Sequence, residues 1–256
     1  MQRFLKVWGQ IAPLSRFILY EMANILMIET STRPCSVALS QDFNVEWHEE
    51  TLEGPNHASV LGVYVEHAME YAREHQMMPD AIAVSAGPGS YTGLRIGVSE
   101  AKGLAFGLGI PLIAVSTLET MVSTVMFLHD LPDDALFCPM IDARRMEVYT
   151  ALYDRALKLV EPVGAKVIDA CSYDDVLKDR EIWFFGDGAE KCKEVLRNPR
   201  MHFIPGVRPM AREMLALAYK AFRAQDFVDT AYFTPFYLKD FVATKPNLDK
   251  ILKGSV

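Results

Sequence analysis

IETSTRPCSVAL at residues 28–39 and IDARRMEVYTAL at residues 141–152 are two versions of one motif, and their recurrence decides the fold. In the first, the apolar run Ile25 to Ile28 ends in Glu29, passes the polar turn Thr30-Ser31-Thr32-Arg33 and resumes as a strand from Cys35 to Leu39. In the second, Cys138 to Ile141 ends in Asp142, Ala143-Arg144-Arg145 make the turn, and Glu147 to Tyr153 alternates as the return strand. Each reads as a β-hairpin with an acid at its turn. Further along each half, Ala81 to Ser85 runs into Gly87-Pro88-Gly89-Ser90 and a helical pattern, while Glu181 to Phe185 runs into Gly186-Asp187-Gly188-Ala189 and another. Each half is therefore hairpin, further strand, helix, then strand, glycine turn and helix. This alternation predicts α/β layers with helix-covered sheets, and a repeat near half the chain length means a duplicated domain, not a solenoid. The boundary is expected between Leu128 and Asp134, where His129, Asp130, Pro132, Asp133 and Asp134 make a polar break. Residues 22–130 then form the first unit and 131–256 the second.

The 256 residues are 50% hydrophobic and 23% charged, enough apolar content for a core that folds without disulfides or metals. A formal net charge of -7 argues against a surface that grips nucleic acid throughout, because phosphate binding needs clustered Lys and Arg to displace counterions. Cys35, Cys138, Cys171 and Cys192 lie far apart without a CxxC pair, which points to idle thiols in a reducing, cytoplasmic compartment. Residues 1–21 start basic, but Gln10, Pro13, Ser15 and Arg16 interrupt any signal-like core, so this stretch is expected to be a poorly structured extension from an upstream start codon. No run reaches the roughly 18 apolar residues of a membrane span.

Two long helices dominate the first half. One covers residues 58–75 with Asn56 as its cap; Val60, Leu61, Tyr64, Ala68, Tyr71 and Ala72 form an apolar stripe that Val63, Val65 and Met69 widen. The other runs from Thr92 to Gly109 and places Gly93, Gly97, Ala101, Ala105 and Gly109 at every fourth position, a ridge of very small side chains. Glycine inside a helix costs about 1 kcal/mol relative to alanine. Gly97, Gly103 and Gly107 therefore need a closely approaching neighbour, which is either the chain's own sheet or another subunit. The wide stripe of the first helix leaves the same two options, core or second contact surface.

The turn from Gly87 to Gly93 opens the second helix, where backbone amides and the helix dipole favour an anion. It has neither the Lys-Ser/Thr ending of a P-loop nor the spacing of a dinucleotide fingerprint. Glu29 and Asp142 could face one another across a cleft between the halves and hold a magnesium-bound nucleotide. Their turns, however, contain no glycine to admit phosphate, and bracing of each hairpin by its acid is the preferred reading. Glu29, Gly87, Gly89, Ser90 and Asp142 thus make a candidate nucleotide or anion site, weak at best. The histidines at 48, 57, 67, 75, 129 and 202 form no HxxxH or HExxH pair, and no GxSxG elbow occurs.

Four strings now carry a resemblance: ILMIETSTRPCSVAL, AGPGSYTGLRIGVSEAKGLAFGLGIPLIAVSTLETM, IDARRMEVYTA and FGDGAEK, in this order. From Asn24 to Pro246 the chain resembles the TsaB (YeaZ) family of the bacterial threonylcarbamoyladenosine pathway. The resemblance implies a duplicated actin/sugar-kinase/Hsp70-like (ASKHA, RNase H-like) α/β fold with two related subdomains. It also implies a noncatalytic subunit required for threonylcarbamoylation of adenosine 37 in tRNAs reading codons that begin with A. The implied partners are the catalytic paralogue TsaD, as a heterodimer, and the ATPase TsaE; tRNA is met only through the complex, and a homodimer forms when TsaD is absent. The implied interface is Leu61, Tyr64, Val65 and Ala68 on the first helix with Gly93, Leu94, Gly97 and Ala101 on the second. In TsaD-like sequences the strand after the second helix runs into two metal-binding histidines on one helical turn, and here Thr117 and Met121 stand at those positions. No catalytic or metal-binding residue is therefore expected. Many relatives have Asp where this chain has Glu29, and the extra methylene moves the carboxylate away from any phosphate. No cofactor is expected to bind tightly; ATP or ADP would bind at low affinity or at the subunit boundary. The competing expectation is an independent ATP-dependent phosphotransferase of the same superfamily. The tail from Tyr237 to Val256, with Lys239, Lys245, Lys250 and Lys253 offset by Asp240 and Asp249, is expected to be solvated.

Overall fold

A computed structural model describes residues 22–52 and 57–239. The expectations for residues 1–21, for the Asn56 cap and for the tail beyond Lys239 lie outside the described residues. The first half runs β1 (Asn24–Glu29), β2 (Cys35–Gln41), β3 (Asn44–Thr51), α1 (His57–Glu74), β4 (Ala81–Gly87), α2 (Tyr91–Leu108), β5 (Leu112–Ser116) and α3 (Thr117–Leu128). The second runs β6 (Leu136–Asp142), β7 (Glu147–Tyr153), β8 (Leu159–Val167), β9 (Ile182–Phe185), α4 (Asp187–Cys192), β10 (Met201–Ile204) and α5 (Leu215–Ala224). The two five-stranded sheets have equivalent orders, β3-β2-β1-β4-β5 and β8-β7-β6-β9-β10. In each, the first three strands form an antiparallel meander and the last two join in parallel. This is the duplicated actin/sugar-kinase/Hsp70-like, RNase H-like α/β fold. The duplication is of sheets more than of helices: the counterpart of α1 shrinks to turns around a one-turn 3-10 helix at Val176–Lys178, and α4 has 6 residues against 18 in α2.

Burial explains the strand sequences. All six residues of β1, NILMIE, are buried, because a central strand covered on both faces needs a continuous apolar run. On one face Leu26, Ile28, Val37, Leu39, Ile82 and Val84 meet Leu61, Val65, Ala68, Ala72, Val98, Ala101 and Ala105 from α1 and α2. On the other face Ile25, Met27, Ala83, Ile113 and Val115 meet Met214, Ala218 and Tyr219, which come from the second half. In exchange α3 sends Leu118, Met121, Val122 and Val125 into the core of Phe137, Ile141, Ala151, Tyr153 and Phe185. The expected division into 22–130 and 131–256 is corrected accordingly. The sheets divide there, but each half lends a helix to the other, since α4 and the 3-10 turn are too short to cover both faces of the second sheet.

α2 is bounded by chemistry visible in its sequence. The Ser90 hydroxyl accepts from Gly93 N at 3.2 Å, and Gly109, left-handed at φ 67°, donates its amide to Ala105 O and Phe106 O. The ridge of small residues points inward. A β-carbon at Gly93 would overlap Thr30 O, one at Gly97 would overlap Thr30 Oγ1, and one at Gly89 would overlap Ser31 O. Of the two options open for this ridge, the chain's own hairpin turn takes it.

The expected partner interface is corrected by the same packing. Leu61, Val65, Ala68, Gly93, Leu94, Gly97 and Ala101 are buried in this chain, and Tyr64 is half-buried against the same core. The seven buried residues have no surface left for a second protein, while Tyr64 keeps part of its surface. Gly62, Gly103 and Gly107 behave differently: all three are exposed, and a β-carbon on any of them would meet nothing within 4 Å among the described residues. Among the described residues no helix is long and apolar enough to cross a membrane.

The contrast sets up a pair of stability measurements. Gly97→Leu is expected to lower the unfolding free energy by about 3 kcal/mol or more, as an overpacked core does. Gly103→Ala is expected to raise it by up to about 1 kcal/mol through helix propensity alone. Urea denaturation followed by circular dichroism checks both signs.

Candidate functional site

Glu29 closes β1 and is wholly buried. Its Oε1 accepts from Ser31 N at 2.6 Å and from Ser85 Oγ at 2.9 Å, so it ties the hairpin turn to the end of β4. Its Oε2 is buried without a partner among the described residues, as are Ser31 Oγ, Thr32 Oγ1 and Thr117 Oγ1. Burial pushes the Glu29 carboxyl above its ordinary range, and the hydrogen bonds from Ser31 and Ser85 only partly oppose it. A carboxylate enclosed in this way cannot reach across a cleft, which corrects its place in the candidate nucleotide site.

Asp142, the matching acid of the second hairpin, has the opposite environment. It pairs with Lys191 Nζ, accepts from Arg144 N at 2.8 Å, and donates its own amide to Asp187 Oδ1 at 2.9 Å. Burial alone would raise its pKa, but the Lys191 ammonium, the Arg144 amide and the charge of Arg33 outweigh that and hold it below the ordinary value. Asp187 is exposed at the cleft, yet desolvation by the groups around its carboxyl and the Asp142 charge push its pKa up. A cavity of about 260 Å³ lies between the halves, with Thr32 and Arg33 on one wall, Asp142 and Asp187 on the other, and Arg208 beside them. It falls just below the roughly 300–1,000 Å³ of ordinary ligand pockets. Sequence reading placed Asp142 on this cleft; it missed Arg33, Asp187 and Arg208, of which only Asp187 had a signal, in the second glycine turn.

The glycine turn does not present an open anion site. Ser90 N donates to Ser31 O at 2.6 Å, while Gly93 N and Leu94 N turn to Ser90. Gly87 holds φ 104°, and Phe236 O lies 2.7 Å from where its β-carbon would be. The first turn of α2 is thus occupied by the chain itself, which corrects the expectation for Gly87, Gly89 and Ser90. Thr117 and Met121 are wholly buried on the first turns of α3, Met121 bordering the cleft. Among the described residues no three His, Cys, Asp or Glu side chains come together as a metal site.

What remains open to solvent is the outward side of α1 and α2, neighbouring helices on one face of the first sheet. There Gly62, Val63, Gly103 and Gly107 are exposed, and Phe106 stands 84% exposed.

The buried acid gives a signed pH dependence. With the folded pKa above the ordinary 4.5, the native chain binds more protons than the unfolded one between the two values. The Glu29 contribution is complete below about pH 4.5 and is lost as pH rises through the folded pKa. Urea midpoints over a pH series are expected to fall more steeply with pH in the wild type than in Glu29→Gln; parallel curves would sink this account.

Residues 51–246 match the family model described as TsaD, tRNA N6-adenosine threonylcarbamoyltransferase. The tRNA threonylcarbamoyladenosine biosynthesis protein TsaB of Bacillus subtilis is 36% identical over 180 residues, which cover 68% of this chain and 75% of that one. The protein of the same name from Escherichia coli is 30% identical over 227 residues, 86% of this chain and 96% of that one. Among solved structures, YeaZ from Pseudomonas aeruginosa superposes with a TM-score of 0.71 at 25% identity, covering 85% of this chain and all of that one. With the motifs, the twin sheets and this extent of shared sequence in agreement, the chain belongs to the TsaB (YeaZ) family.

Proposed function

We propose that this chain is a noncatalytic subunit in threonylcarbamoyladenosine synthesis, acting on tRNA by binding and activating or stabilising the catalytic paralogue TsaD together with TsaE. The names of its relatives support the pathway, and the outward side of α1 and α2 supports the partner. Two glycines on the exposed side of α2, Gly103 and Gly107, cost about 1 kcal/mol each, with no contact among the described residues to offset them. A second protein approaching closely over Gly62, Val63, Gly103 and Phe106 would offset that cost and bury the Phe106 ring. The same side, left unpaired, would hold a homodimer.

The site chemistry agrees with an accessory role. The positions of the paired imidazoles are held by Thr117 and Met121, both inside the core. The glycine turn is filled by the chain's own backbone. ATP or ADP would be held weakly in the cleft of Asp142 or at the boundary with TsaD, and a net charge of -7 leaves the grip on tRNA to the partner.

Gly103→Arg is expected to weaken association with TsaD at least tenfold while leaving thermal unfolding of the isolated chain within a few degrees of wild type. Calorimetric titration measures the first and scanning calorimetry the second. The purified chain is expected neither to hydrolyse ATP nor to modify tRNA alone, and to restore modification when added to TsaD, TsaE and threonylcarbamoyl-adenylate. Phosphotransfer by the isolated chain to any sugar or acid would overturn the reading.

A further inference from the structure

The segment after α5 does not end on its own half. It leaves the second half's helix and crosses the first sheet and α2. It then returns to the second sheet. Val228 N donates to Leu112 O at 2.9 Å, an antiparallel bridge on the outer edge of β5. Asp229 Oδ1 then accepts from Ala231 N at 2.8 Å and Tyr232 N at 3.0 Å, turning the chain over α2. There the Lys102 ammonium holds two carbonyls at once, Ala231 O and Phe233 O, each at 3.0 Å. Phe233 packs at the margin of the core between α2 and the sheet. Beyond it Phe236 N donates to Ala86 O at 2.7 Å, beside the bare α-carbon of Gly87, and the Tyr237 ring meets Tyr91 at 4.6 Å. Lys239 then pairs with Glu147, the first residue of β7. Glu147 O in turn accepts from Lys191 Nζ at 2.7 Å, the ammonium that pairs with Asp142 on the cleft.

We propose that residues 228–239 are a releasable strap. It is hinged at the β5 edge and pinned outward by Lys102 and by the Lys239–Glu147 pair; closed, it roofs the Gly87–Ser90 turn and ties α2 to the second sheet. Two physical features make it separable from the core it crosses. Most of its residues are exposed, with only Val228, Thr230, Phe233, Pro235 and Leu238 half-buried. Its attachments beyond Val228 are single bonds at intervals, not a continuous ladder, and segments with few buried contacts open at a small fraction of the global unfolding free energy. Gly87 fits this role: at φ 104° and with Phe236 O so close, a side chain at 87 would keep the strap from seating. Through Glu147 and Lys191 the closed strap also fixes the acid wall of the cleft, so α2 and the cleft share one mobile element.

Backbone hydrogen exchange of the full chain tests this. Lys102→Ala removes both carbonyl anchors, and Glu147→Gln removes the distal ion pair; both side chains are partly exposed, so the fold tolerates either change. Each variant is expected to speed exchange of the Phe236 amide at least tenfold while the amides of β1 and β4 keep wild-type rates. No change at Phe236, a change in one variant only, or equal acceleration throughout the first sheet would overturn the strap as a unit that opens separately.

Discussion

Thr30 donates its hydroxyl proton to Gly93 O at 2.7 Å and Ser31 accepts from Ser90 N at 2.6 Å, so the first hairpin turn is joined directly to the first turns of α2. Side chains at 89, 93 or 97 would hold these two backbones apart, and the chain has none there. The approach fixes how deeply α2 sits on the sheet, which in turn lets Ala101 and Ala105 reach the core without a gap. It also consumes the polar groups of the helix start that an anion would need. Glu29 becomes sealed under the turn, with its Oε2 unpartnered among the described residues, as a consequence of the same approach. One contact therefore explains why the glycines are present, why the acid is enclosed and why the turn is closed.

Seating α2 this deeply divides its small residues into two populations. Those at 93, 97, 101 and 105 pack inside the chain, and a β-carbon at 103 or 107 would meet nothing within 4 Å among the described residues. Helix propensity disfavours the glycines of both sets, Gly93 and Gly97 as much as Gly103 and Gly107, whereas Ala101 and Ala105 favour the helix. Only the glycines of the first set have their compensation among the described residues, and for the second set a covering protein would have to supply it.

The hairpin acids, the duplicated succession of strands and the Gly109 end of α2 were legible in sequence because they depend on local chemistry: a Gly after a helix, an apolar run stopped by a charge. Which face of α1 and α2 is buried was not legible. A stripe at 3.6-residue spacing shows that one side is covered but not by what, and Leu61, Val65 and Gly97 satisfied the pattern of an interface and of a core alike. The exchange of α3 and α5 between halves was hidden for a related reason. Eight of the 12 residues of α3 are buried, four of them Thr or Ser, and a helix covered on most sides by small polar and apolar residues alike names no preferred neighbour. The segment beyond Val228 gave no signal because its attachments use backbone carbonyls and one distant lysine, Lys102, which no periodicity records.

The two hairpins show how a duplicated sequence can diverge without losing its frame. In the first half the turn is braced by the strand's own terminal acid, Glu29, and the glycine turn after β4 packs against Ser31. In the second half Gly188 packs against Ile141 in the same manner, but the bracing carboxylate is Asp187, which accepts the Asp142 amide. Displacing that role by one element frees Asp142 to reach the cleft. There Lys191 and Arg33 hold it charged, while burial works to keep Glu29 neutral. Enclosure therefore separates the two acids more than their chemistry does.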